Sequence, residues 1–150
     1  MIQKATIKDT DILTNIALTS KGYWGYSNEL IESWRNDLTV TSKMIENVFV
    51  YKFIQNNKIV GFYILNQPKG NNIELEMLFV LPEFIGKGIG KQLLLHTFEK
   101  ARKQNASTLN LLADPNAVAF YKSQGFIIID KKESTIPNRF LPIMQKDLTQ

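Results

Sequence analysis

Glycines at 86, 88 and 90 alternate with Lys87 and Ile89, Lys91 follows, and Ile89, Leu93, Leu94, Phe98 and Ala101 then recur at helical spacing. The first amides of a helix have no acceptor inside it, and the helix dipole favours negative charge there. Glycine lets an anion approach those amides closely, so this turn is predicted to hold a phosphate or diphosphate. The alternative is an ordinary tight turn, which has less need of so many glycines. Spacing excludes two familiar phosphate loops. An ATP-type loop G-x-x-x-x-G-K-[ST] read back from Gly90-Lys91 meets Ile85 where glycine belongs, and Gln92 where a magnesium-binding hydroxyl belongs. The dinucleotide pattern G-x-G-x-x-G, started at Gly86, meets Lys91 at its last glycine.

A shorter signature fits. Ile73 to Leu81 reads as a strand, alternating apolar and acidic and then continuously apolar, and it is closed by Pro82. Ile85-Gly86-Lys87-Gly88-Ile89-Gly90 follows and opens the helix. A strand, then [QR]-x-x-G-x-[GA], then a helix is the central motif of the GNAT superfamily of acyl-CoA-dependent N-acetyltransferases, which this chain resembles. Ile85 stands where that family has Gln or Arg, while the amides of Gly86 to Gly90 stay available. A second segment carries the resemblance further. Leu109 to Ala113 reads as a short buried strand, and Asp114 to Phe126 as a helix that Asp114 caps, Pro115 begins and Gly125 ends. The family has N-x-x-A-x-x-F-Y-x-x-x-G-F here, and Asn116, Ala119, Phe120-Tyr121 and Gly125-Phe126 sit close to it as N-A-x-A-F-Y-x-x-x-G-F.

The resemblance implies acetyl-CoA as co-substrate, lying between the strand that ends at Val80 and a parallel strand at Leu109 to Ala113. It implies that the backbone of Leu78, Phe79 and Val80 pairs with the pantetheine arm. The turn from Ile85 through Gly86, Lys87, Gly88, Ile89 and Gly90 to Lys91 would hold the pyrophosphate, with Asn116 and Phe120 beside the arm. Tyr121 would donate a proton to the departing thiolate. The reaction implied is direct attack of a neutral amine, for which the absence of a cysteine nucleophile is consistent. Glu74 and Glu76 project from one face of the central strand, and one of them is the candidate base. The alternative for that pair is a solvent-facing edge of an amphipathic strand. Between the first and second strands, where the superfamily usually grips its acceptor, lies Lys21-Gly22-Tyr23-Trp24-Gly25-Tyr26-Ser27. Tyr23, Trp24, Tyr26 and Glu29 are therefore candidate acceptor contacts, whereas Trp34, spaced with Leu30 and Ile31, reads as packing.

Positioning these residues requires a sheet. Val48 to Ile54 and Ile59 to Leu65 are strand-forming runs joined by Asn56-Asn57, a two-residue hairpin signal. Met1 to Ala5 suits an edge strand, and two further strands are expected at 126–132 and 139–146. Helices are expected after Asp9 or Thr10, after Ser27 and after Thr41 or Ser42. The fold class expected is α/β (α+β), a mixed, mostly antiparallel sheet of about six to seven strands with about four flanking helices, in one domain spanning 1–150. The resemblance adds a splay between two central parallel strands.

Composition bounds the function. Eighteen Lys plus Arg against 14 Asp plus Glu give a net charge of +4, too mild and scattered to imply nucleic acid but suited to a polyanionic ligand. No cysteine and a single His96 exclude a disulfide framework and a histidine metal site, so no metal is expected. No apolar run reaches membrane-spanning length, and a cytoplasmic protein is expected. The partner expected is a small-molecule amine. A peptide acceptor, a non-catalytic acyl-CoA-binding module and a homodimer stay open.

Overall fold

The structure is a computed structural model and describes residues 1–149. Seven strands form one sheet in the order β1-β2-β3-β4-β5-β7-β6. They are β1 (Ile2–Lys4), β2 (Phe49–Gln55), β3 (Lys58–Leu65), β4 (Asn72–Val80), β5 (Thr108–Leu112), β6 (Ile127–Glu133) and β7 (Phe140–Asp147). Among the described residues only β4 and β5 run parallel. Asn56 and Asn57 both take positive φ, +51° and +63°, as a two-residue β2–β3 turn requires.

Six α-helices cover the faces: α1 (Thr10–Gly22), α2 (Asn28–Ser33), α3 (Arg35–Leu38), α4 (Ser42–Asn47), α5 (Ile89–Lys103) and α6 (Val118–Ser123). The expected α2 and α4 form where local caps succeed without a long apolar stripe behind them, whereas α3, which was not expected, has no side-chain cap. The Ser27 hydroxyl accepts from the Leu30 amide at 3.1 Å, and that of Thr41 from Met44 at 3.2 Å. Asp9 behaves differently from a simple cap. Its carboxylate accepts from the Thr6 amide at 2.8 Å and from Lys52 Nζ at 2.7 Å, tying the first turn to β2. The helix expected over 114–126 divides into a 3-10 turn at Pro115–Ala117 and then α6, which stops before Gly125 at φ +95°. No helix among the described residues is long and apolar enough to cross a membrane.

Two cores flank the sheet. On one side Leu93, Leu94 and Phe98 of α5 and Tyr121 of α6 pack on Tyr63, Leu65, Ile73 and Leu75. On the other, Leu13, Ile16 and Ala17 of α1 pack with Leu38 and Ile45 on Phe62, Ile64 and Met77. Leu75 and Met77 thus serve opposite cores although they are two residues apart. A β-bulge is the reason: Leu65 pairs with Leu75 and Ile64 with Met77, so Glu76 is the extra residue that reverses the alternation.

Candidate active site

Parallel pairing between β4 and β5 ends early. Its last pair is Leu75 with Leu111, although β4 continues to Val80 and β5 to Leu112. Beyond that pair the two strands enclose a cavity of about 630 Å³. The bulge at Glu76 sits where they part, which fits its known effect of bending one strand away from its neighbour. The Leu81 amide donates to the Val60 carbonyl at 2.8 Å. Alternation of an antiparallel ladder then turns the backbone of Leu78 and Val80 away from β3, toward the opening. The Ser20 hydroxyl takes the Val80 carbonyl at 2.9 Å, so α1 braces the end of β4.

At one end of the cavity stands the glycine turn. Gly86 and Gly88 have φ of +82° and +80°, a region that side chains with a Cβ enter only under strain. Gly88 occupies the position before α5, and no side chain caps that helix. The first α5 amide with an acceptor among the described residues is Gln92, bonded to the Gly88 carbonyl at 3.1 Å. The amides ahead of it have no acceptor among the described residues, which leaves them able to meet an anion. Ile85, Gly86, Gly88, Gly90 and Lys91 line the cavity, whereas the Lys87 ammonium lies 5.3 Å from the Phe84 ring centre. A Cβ on Gly90 would meet the Phe120 ring at 3.5 Å, an ordinary packing distance, so Gly90 lies against Phe120 beside the opening.

Tyr121 lines the same cavity and is only 7% exposed. Phe120 and Phe126 meet its ring edge-on at 5.2 and 5.4 Å. Among the described residues no hydrogen bond engages its hydroxyl, which keeps access to the cavity. Burial, and behind it the Asp114 charge, pushes the phenol above its ordinary range, so it stays protonated at neutral pH.

The two acidic candidates on β4 separate. Asn66 Nδ2 donates to Glu74 at 2.9 Å and to Glu76 at 3.1 Å, so both carboxylates lie on one face, but only Glu76 lines the cavity. The aromatic loop separates as well. Trp24 lines the cavity, while Tyr23 packs edge-on against it at 4.9 Å and, like Glu29 on α2, lies outside the lining. Tyr26 does not line the cavity either, and acts through its hydroxyl on residues that do. Trp34, read from spacing as packing, does pack against the α1 core, and it also lines the cavity and donates from Nε1 to Thr135 Oγ1 at 2.9 Å.

Sequence reasoning passed over a polar cluster. The Asp114 carboxylate accepts from Lys21 Nζ at 2.6 Å and from the Tyr26 hydroxyl at 3.0 Å. The Asn116 amide group also donates to it at 2.9 Å, and Arg139 approaches to 3.6 Å. Arg139 donates in turn to the Tyr26 hydroxyl. Burial alone would raise the Asp114 pKa, but the Lys21 contact and the other donors outweigh it and hold the carboxyl below the usual range. The signal was in the spacing. Counted without a gap from Tyr121 and Gly125-Phe126, the first and fourth positions of N-x-x-A-x-x-F-Y-x-x-x-G-F fall on Asp114 and Ala117. Residue type alone had drawn the pattern to Asn116, whose side chain is occupied by Asp114 and the Tyr26 hydroxyl.

A parallel strand pair opened beside a glycine turn and an uncapped helix is the architecture of a cleft for an extended ligand ending in phosphate. The chain belongs to the acetyltransferase (GNAT) domain family, whose model matches residues 25–146. A spermidine N(1)-acetyltransferase from Thermoplasma acidophilum is 30% identical over 145 residues, covering 86% of this chain and 89% of that protein. The crystal structure of a PaiA N-acetyltransferase from the same organism, in complex with coenzyme A, superimposes with a TM-score of 0.86. It is 26% identical, with 98% of each chain covered. An uncharacterised N-acetyltransferase, ycf52, from Pyropia yezoensis is 36% identical over 72 residues, 48% of this chain and 41% of that protein. The chain spans about half the length of the ycf52 relatives it matches.

Proposed function

We propose that the chain is an N-acetyltransferase that moves the acetyl group of acetyl-CoA to the amine of a small molecule by direct attack. The observation that carries this reading is a single cavity with unengaged helix amides at one end and the free Tyr121 hydroxyl within it. The diphosphate rests on the amides of the Gly86 to Lys91 turn, with Lys87 and Lys91 adding positive charge. Ile85 contributes apolar surface and no donor. The pantetheine arm runs along β4, taking the backbone groups of Leu78 and Val80 as an added strand does, with Phe120 beside it.

An alkylamine is mostly protonated near neutral pH, so a proton must leave before nitrogen attacks. Glu76 takes it through a water and passes it to solvent. Nitrogen then bonds to the thioester carbon, the carbon–sulfur bond breaks, Tyr121 gives its proton to the departing thiolate, and the second nitrogen proton leaves through Glu76 and water to solvent as the amide forms. Solvent reprotonates the phenolate.

Two bridges support a small acceptor over a peptide. Trp34 reaches Thr135 and Tyr26 reaches Arg139, so the segment after α1 is joined to the β6–β7 connection across the cavity. An extended peptide needs an open groove there. The 30% identical relative named for spermidine makes that polyamine the first acceptor to test. The test is thiol release from acetyl-CoA with spermidine, shorter diamines, amino acids and a lysine-containing peptide. Saturable release with a small amine and none with the peptide is expected. Silence across the panel with coenzyme A bound would leave a non-catalytic binding module.

A further inference from the structure

Asp114 touches three segments that are distant in sequence. Lys21 ends α1, Tyr26 belongs to the aromatic loop, and Arg139 precedes β7. Lys21, Asp114 and Arg139 line the cavity together with Trp24 and Trp34, and this part of its wall is termed the roof. The Asp114 side chain is 11% exposed, and it is the one anion within ion-pair distance of both Lys21 and Arg139 among the described residues. Without its charge two cations face each other across the roof, each short of a partner, and a buried cation left unpaired moves toward water. Tyr121 and the start of α5 are held differently, by apolar packing around Phe98 and Phe126.

We infer that Asp114 is a positioning residue for the acceptor: its carboxylate latches the roof and so sets acceptor affinity without touching the acceptor or the thioester. The inference rests on the proposed transferase reading for its kinetic arm only.

Asp114→Asn is the discriminating variant because asparagine caps the turn before α6 as well as aspartate does, so local folding is kept while the charge is lost. The acceptor KM is expected to rise about ten-fold or more, the scale of one lost charged hydrogen bond. The acetyl-CoA KM rises less than the acceptor KM does, because the diphosphate is held on the amides of the glycine turn. Arg139→Gln alone raises the acceptor KM, and Asp114→Asn costs less in that background than in the wild type, since the Arg139 contact is already gone while those of Lys21 and Tyr26 remain. A merely structural role moves both KM values together and shows no such coupling.

An arm without substrates uses the tryptophans. Both of the chain's tryptophans, Trp24 and Trp34, lie in the roof, so intrinsic emission reports its closure directly. Asp114→Asn is expected to shift emission to longer wavelength, and the wild-type and Tyr121→Phe proteins are not. Unchanged emission overturns the inference, as does an acceptor KM unchanged in an active enzyme. A wild-type protein that binds no coenzyme A overturns the transferase reading instead, and the emission arm still decides the latch.

Discussion

Replacing Tyr121 with phenylalanine removes one oxygen from the centre of the proposed chemistry and little else. The ring is 7% exposed and held edge-on by Phe120 and Phe126, contacts that phenylalanine keeps. No protein hydrogen bond to the hydroxyl is lost, so stability should change by less than about 1 kcal/mol. The catalytic loss should be far larger. A positioned general acid contributes roughly 10²- to 10⁴-fold, or about 2.7 to 5.4 kcal/mol of barrier. Steady-state thiol release at saturating acetyl-CoA and acceptor should therefore fall by about a hundred-fold or more, with acetyl-CoA affinity unchanged. Burial raises the Tyr121 pKa, so the wild-type enzyme should show no loss of activity from its ionisation anywhere below the ordinary phenol range. The deficit of the variant should narrow above about pH 8.5, where a thiol leaves as thiolate without needing a proton. A kcat within about three-fold of wild type, with the fold intact, refutes the acid role.

Three further outcomes are expected. Glu76→Gln should lower turnover at neutral pH by about a hundred-fold, while Glu74→Gln, outside the cavity lining, should leave it nearly unchanged in the same assay. Gly88→Ala places a Cβ at φ +80° with nothing within 4 Å of it, so its cost is backbone strain. That strain is about 1–2 kcal/mol, read as a lower melting temperature and a weaker coenzyme A titration. Asp9 and Asp114 have folded pKa values below their unfolded ones, so their stabilisation is present above the ordinary carboxylate range and lost as pH falls through the depressed values. Melting temperature should drop steeply below about pH 4, and less steeply in Asp114→Asn.

The fold was largely legible because its signals are local. Asn56-Asn57 demands positive φ, Ser27 and Thr41 cap helices through their own hydroxyls, and alternation marks β4. The bulge at Glu76 was not legible, since a period-two pattern gives no sign of one residue dropping out of register. The glycine turn could be singled out from spacing and Tyr121 through the family resemblance, and they line one cavity with Glu76 and Trp24. Spacing reaches Asp114 itself when the motif is counted without a gap, but the cluster around it was not legible, because it joins residues as many as 118 positions apart from Lys21 to Arg139 and depends on tertiary approach. Trp34 shows the same limit. Its helical spacing with Ile31 is real, but the face it presents was decided by the β6–β7 connection at Thr135.

The central claim is that the amides before α5 bind a diphosphate whose attached arm lies between β4 and β5. Calorimetric titration with acetyl-CoA and, separately, with acetyl-pantetheine tests it most directly. Saturable binding of acetyl-CoA, with the diphosphate-free compound at least about ten-fold weaker, is the result predicted. Equal affinities, or no binding of acetyl-CoA, would contradict it.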